Sequence, residues 1–221
     1  MHDYFVALDG RLGHEGAPKF QLWKDNVPNF EYNPTVPYFS MLVPTIDTAR
    51  YSFLLERNLE VEKAMLFVGH SGVGKSVMIA DTIQRLVDGG SWARLDISFS
   101  AQTSARRTQE TIESKLEKKK KTLLGAPPGK RMVMFVDDVN MPALETYGAS
   151  PPAELLRQFL DYKGFYDRHK LFWKDITDVV EVCACGPPGG GRHELTPRLV
   201  RLHPLAPFNH PTASALRPPL Y

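Results

Sequence analysis

The run Gly69-His70-Ser71-Gly72-Val73-Gly74-Lys75-Ser76 has the residue types and spacing to hold a polyphosphate. Phosphates are anionic and need many short donors. Glycines at 69, 72 and 74 let the backbone curl so that its N–H groups converge. A helix opening at this point adds the positive end of its dipole. Lys75 is placed to reach the β and γ phosphates, and Ser76 to hold Mg²⁺. The expected cofactors are therefore ATP or ADP and Mg²⁺. The binding stretch is Gly69, His70, Ser71, Gly72, Val73, Gly74, Lys75, Ser76 and the adjoining Val77.

A second segment, Met132-Val133-Met134-Phe135-Val136-Asp137-Asp138, is an apolar strand that ends in two acids. Alone, such a segment is an ordinary strand end. With a phosphate loop upstream it reads as a Walker B strand, its acids at the sheet edge where ligands bind. Asp137 is expected to support the Mg²⁺ shell and Asp138 to polarise an attacking water. A third segment, Cys185-Gly186-Pro187-Pro188-Gly189-Gly190-Gly191-Arg192, follows another apolar run. Arg192, Arg198 or Arg201 is placed to meet phosphate charge, in cis or in a neighbour. The competing reading is a flexible glycine-rich loop with solvated arginines. Lys118–Lys121 reads as a solvated helix end, favoured by the helix dipole, and His169 as a surface residue.

These groups need a scaffold. Ala64–Val68, Trp92–Phe99, Met132–Val136 and Val179–Cys185 read as strands. Ser76–Val87, Thr103–Lys121 and the stretch from Pro151 through Leu160 read as helices. A further helix is expected from Thr45. Strands alternating with helices predict an α/β fold with a parallel sheet sandwiched by helices. Residues 1–44 lack a sustained period, and their prolines exclude long helices. They read as an irregular, extended arm held by Phe20, Trp23, Phe30, Tyr32, Tyr38 and Phe39. After Arg201 prolines accumulate, and residues 202–221 are expected to form a disordered tail.

The 221 residues allow one such domain with an extension, and 43% apolar content is enough for a core. A net charge of +2 gives no nucleic-acid footprint. No apolar run is long enough to span a membrane, and Met1–Gly10 does not read as a signal peptide. The default compartment is therefore cytosolic. Cys183 and Cys185 lie two apart in a strand, too close for an unstrained bridge. They read as reduced, buried thiols without metal partners nearby in the sequence.

Over residues 27–201 the chain resembles the motor region of dynein heavy chains, and within it the third AAA+ module of axonemal dyneins. The resemblance rests on 42–51, the phosphate loop, 99–104, Phe135-Val136-Asp137-Asp138-Val139-Asn140-Met141-Pro142, 147–158 and 186–192. It implies the large α/β subdomain of an AAA+ P-loop NTPase over residues 45–201. It also implies a place in a microtubule-based motor of the ciliary axoneme, a cytoskeletal location. The implied partners are neighbouring AAA+ modules and, through the full-length protein, microtubules and dynein light and intermediate chains. Lys75, Ser76, Asp137 and Asp138 match the Walker positions, and Arg198 matches the region of the family's arginine finger.

Two positions depart from the family pattern. AAA+ ATPases usually carry Glu where this chain has Asp138, and a sensor asparagine where it has Gly186. A carboxylate one methylene short is poorly placed for water activation. The helical lid that normally follows Arg201 is missing from the resemblance, so the chain is expected to be a piece of a much larger protein. The expected function is Mg-ATP binding with regulation or slow hydrolysis, and weak activity for the chain alone. The alternatives are a regulatory fragment with no hydrolysis and a P-loop kinase acting on a small molecule.

Overall fold

The computed structural model describes residues 3–7, 19–30, 32, 34, 37 and 41–210. They form two compact units, one running through Leu54 and one covering Leu55–His210.

In the first unit β1 (Tyr4–Ala7) pairs antiparallel with β2 (Lys19–Leu22), and a 3₁₀ turn follows at Trp23–Asn26. The arm is thus less irregular than its composition predicts. Trp23 is its buried anchor. Phe5 stacks on it at 4.4 Å, and Phe53 meets it edge-on at 5.4 Å. Phe20, Phe30 and Tyr32, expected to help hold the arm, are exposed instead. Tyr38 and Phe39 lie outside the described residues. Helix α1 (Ile46–Glu60) starts where expected. Thr45 and Thr48 cap it reciprocally: each side-chain oxygen accepts the other's backbone N–H, at 2.7 and 3.1 Å.

The second unit runs, in chain order, through β3 (Met65–Val68), α2 (Lys75–Asp88), β4 (Trp92–Ser98), α3 (Ala105–Lys115), β5 (Glu117–Lys120) and β6 (Leu123–Gly125). It continues with β7 (Arg131–Asp137), α4 (Pro151–Tyr162), β8 (Gly164–Tyr166), β9 (Trp173–Thr177), β10 (Val179–Cys185), α5 (Pro197–Val200) and β11 (Leu205–Pro207). The main sheet has five strands in the order β11-β3-β10-β7-β4, and every pair is parallel. Helices cover central parallel strands on both faces, which explains why β7 is apolar from Met132 to Val136 and β10 is apolar except at Glu181. Met134, Val136 and Cys183 meet Ile112 of α3 and Leu156 and Phe159 of α4 in the core.

Three expectations need correction. The helix expected over 103–121 is α3 alone. Ser104 caps its start, its side chain accepting the Arg107 N–H at 3.2 Å. After Leu116 no apolar residue falls at helical spacing, so a longer helix would have nothing to bury. Glu117–Lys120 instead forms the exposed edge of a second sheet, ordered β5-β6-β9-β8. The lysines guard that edge against further pairing rather than meeting a helix dipole.

That second sheet has no counterpart in the sequence reading, because its strands are short and pair across distant segments. The tail is the third correction. Leu205–Pro207 is an ordered edge strand beside β3, and the backbone carbonyl of Val68 accepts the Phe208 N–H at 2.7 Å. Prolines are tolerated there because an edge strand leaves one row of backbone groups unpaired. The remainder of the tail, from residue 211, lies outside the described residues.

Candidate functional site

The C-terminal edge of the parallel sheet carries the phosphate loop, the two acids and the glycine-rich loop together. Backbone bonds fasten these ends to one another. Gly69 N–H donates to the Cys185 carbonyl at 3.1 Å, Val139 N–H to Ala184 at 3.1 Å and Phe99 N–H to Asp137 at 3.0 Å. The loops leaving β3, β10, β7 and β4 therefore share one frame.

Gly72 and Gly74 sit at φ 80° and 91°, a region L-residues rarely adopt. They reverse the chain between β3 and α2. Gly74 is the N-cap of α2 and supplies no side-chain cap, so the helix presents uncapped N–H groups to the loop. Lys75 opens that helix and is buried. Its Nζ donates to the carbonyls of Gly69 and His70, both at 2.7 Å, leaving a third donor. Burial pulls this ammonium below its ordinary value, and the Asp137 and Asp138 carboxylates partly offset the shift. Ser76 follows in the first helical turn, half-buried. Ser71 and His70 stand exposed at the loop's rim.

Asp137 closes β7, and its carboxylate accepts the Asp138 N–H at 3.0 Å. Asp138 itself lies at φ 52°, a left-handed conformation that aspartate tolerates better than most residues. This turn swings its carboxylate away from the strand line and toward Arg192. The guanidinium Nη2 of Arg192 donates to Asp138 Oδ1 at 3.2 Å and to Ser71 Oγ at 3.1 Å. Of the three arginines considered from sequence, the fold brings only Arg192 into this group. Arg201 pairs with Asp161 of α4 at 3.1 Å. Arg198 is exposed on α5 and makes none of the contacts that join Ser71, Asp138 and Arg192.

Sequence reading missed Asn140 as a site residue. It is buried, and its Nδ2 donates to the carbonyls of Gly186 at 2.9 Å and His193 at 3.0 Å. His193 N–H returns a bond to the Asn140 carbonyl at 2.9 Å. Asn140 thus ties the segment after β7 to the glycine-rich loop. The one available signal was an amide placed between apolar Val139 and Met141 directly after the acids.

The donor set suits a magnesium-bound polyphosphate. An uncapped helix N-terminus and an ammonium are the donors anionic oxygens require, and the Ser76 hydroxyl and the Asp137 carboxylate are hard oxygen donors of the kind Mg²⁺ prefers.

A separate buried group concerns the cysteines. Both are free and buried, as expected. However, Cys183 is not without partners. Glu181, Cys183 and His203 bring one donor atom each within 4.8 Å of one another. The i, i+2 spacing aims Glu181 and Cys183 the same way, and the fold returns His203 from beyond α5. The Cys183 thiol donates to Glu181 Oε1 at 3.0 Å, and His203 Nε2 lies 3.4 Å from that same oxygen. Burial pushes Cys185 up to about 11 and Cys183 well above the usual thiol value, so neither is a thiolate nucleophile.

Comparison with known proteins gives the family context. A family model described as P-loop containing dynein motor region matches residues 30–211. Human dynein axonemal heavy chain 6 is 55% identical over 179 residues, covering 81% of this chain and 4% of the relative. Human dynein axonemal heavy chain 1 is 45% identical over 180 residues, again 81% of this chain and 4% of the relative. Human dynein axonemal heavy chain 12 is 43% identical over 204 residues, covering 91% of this chain and 6% of the relative. The chain therefore spans only a small part of the length of these relatives.

Proposed function

The chain belongs to the P-loop-containing dynein motor-region family, and from that membership we propose that it is a nucleotide-holding AAA+ module of an axonemal heavy chain. Its place is the third module, and residues 45–201 are its large α/β subdomain. The observation that carries this reading is the convergence of Lys75, Asp137 and Asp138 at one sheet edge beside an uncapped α2 N-terminus.

Gly69–Val77 wraps the phosphates of ATP or ADP. Lys75 supplies positive charge to the terminal phosphates, and Ser76 and Asp137 hold Mg²⁺. The metal, when bound, neutralises charge on the transferred phosphate oxygens. Asp138 is the acid that orients water. As it stands, its carboxylate is engaged by Arg192, and it is one methylene shorter than glutamate. The shorter side chain favours retention of nucleotide over rapid turnover. Arg198, exposed on α5, is free to face a neighbouring module as an arginine finger. Through the full-length motor such a module acts alongside other AAA+ modules, microtubules and light and intermediate chains, in the axoneme.

A single-turnover assay with Mg-ATP tests the assignment. Slow phosphate release is expected, abolished in Lys75→Ala and strongly reduced in Asp138→Asn with binding retained. Phosphate release unchanged in both variants would contradict the proposed roles. Transfer of phosphate to an added small-molecule acceptor would favour a kinase instead.

A further inference from the structure

We propose that Arg192 distinguishes triphosphate from diphosphate in this site, and that Gly186 is glycine because any side chain there would displace it. The inference deepens the nucleotide-site reading and rests on it.

The first observation is steric. A Cβ built at Gly186 would lie 2.6 Å from Arg192 Cδ and 2.7 Å from its Nε. A side chain at 186 and the present Arg192 rotamer exclude each other. Gly186 has no left-handed φ that would otherwise call for glycine, so its backbone alone does not explain the residue. What the missing side chain provides is the channel for the arginine stem.

The second observation is how the arginine is delivered. Gly189, Gly190 and Gly191 all take positive φ, at 118°, 58° and 84°. Gly189 and Arg192 exchange backbone bonds at 3.0 and 3.1 Å, closing a tight reversal. Asn140 anchors the two ends of this loop through Gly186 and His193. The loop is thus a fixed device that returns Arg192 to the sheet edge.

The third observation is what the guanidinium does there. One nitrogen bridges Ser71 of the phosphate loop and Asp138 of the acid pair. Its Nε is buried and has no partner among the described residues. Buried donors without acceptors are costly, and an arginine fork suits phosphate oxygens. Arg192 and Lys75 also bring two cations to the same small region, and the guanidinium disfavours the ammonium's charge. An added anion at the mouth of the loop relieves both. A terminal phosphate supplies that charge, and by competing for the guanidinium it frees the Asp138 carboxylate. A diphosphate leaves Arg192 on Asp138.

The test is equilibrium titration of the chain with fluorescent ATP and ADP analogues in Mg²⁺, using wild type, Arg192→Ala, Arg192→Lys and Gly186→Ala. Thermal unfolding confirms that each variant folds. The wild type is expected to prefer ATP. Arg192→Ala and Gly186→Ala should each lose about tenfold in ATP affinity, the loss of a charge-assisted bond, and little in ADP affinity. Arg192→Lys should keep part of the preference. General damage to the site would weaken both nucleotides equally. That equal loss, or an unchanged ATP to ADP ratio in the two alanine variants, would overturn the proposal. A wild type that binds neither nucleotide would overturn it together with the reading it rests on.

Discussion

The side-chain amide of Asn140 donates to the carbonyl of Gly186 at 2.9 Å, across two loops far apart in sequence. The same nitrogen also serves His193, so one buried amide holds the acid pair and the glycine-rich loop in register. Asn140→Ala leaves two carbonyls without their donor, a cost of about 2–3 kcal/mol. Chemical denaturation should show that loss. Nucleotide affinity should fall as well, because Arg192 is no longer held in place. A variant with wild-type stability would contradict the role given to this amide.

Gly69 is the place where the phosphate loop meets β11. A Cβ at this position would collide with the backbone carbonyl of Phe208 and lie 3.0 Å from its Cβ. Backbone cannot rotate away as a side chain can. Gly69→Ala should therefore detach β11 from β3, lowering the unfolding midpoint and weakening nucleotide binding together. Hydrogen exchange at the Phe208 N–H, which donates to Val68, would report the detachment directly.

Asp138 allows a test of reach. Asp138→Glu adds the methylene that AAA+ ATPases usually have. The left-handed backbone at this position is less comfortable for glutamate, costing about 1 kcal/mol in stability. Single-turnover phosphate release should nonetheless rise by about tenfold, because geometry limits the wild-type step. An unchanged rate would move the limit elsewhere.

The His203–Glu181 pair predicts a pH dependence of stability. Burial acts to lower the His203 value. The Glu181 carboxylate and the Leu199 carbonyl outweigh it, leaving the imidazole above its ordinary 6.5. The folded protein therefore holds this proton more tightly than the unfolded chain. That stabilisation is fully present below pH 6.5 and is lost as pH rises through the raised folded value. Unfolding midpoints should fall over that rise, and the slope should flatten in His203→Gln. A wild-type slope in that variant would assign the dependence to other groups.

The phosphate loop and acid pair were legible in the sequence because each is a local pattern. Glycine spacing fixes one turn, and an apolar run ending in Asp137-Asp138 fixes one strand end. What stayed hidden depends on pairing between distant segments. β11 exists because Leu205–Pro207 finds β3, and no local period in a proline-rich stretch announces that. The four lysines looked like a helix end because composition alone does not distinguish a dipole partner from an edge guard. His203 reaches Glu181 and Cys183 only through the fold, so a buried cluster was read as isolated thiols. The choice among Arg192, Arg198 and Arg201 likewise needed geometry, since all three are plausible cations by type.

The central claim, that this sheet edge holds Mg-ATP through Lys75, is tested most directly by isothermal titration of the chain with ATP, with and without Mg²⁺. The account predicts saturable binding that Mg²⁺ strengthens and that Lys75→Ala weakens by about a hundredfold, since a buried charge partner is removed. No binding by the wild type at millimolar ATP, or binding untouched by Lys75→Ala, would contradict it.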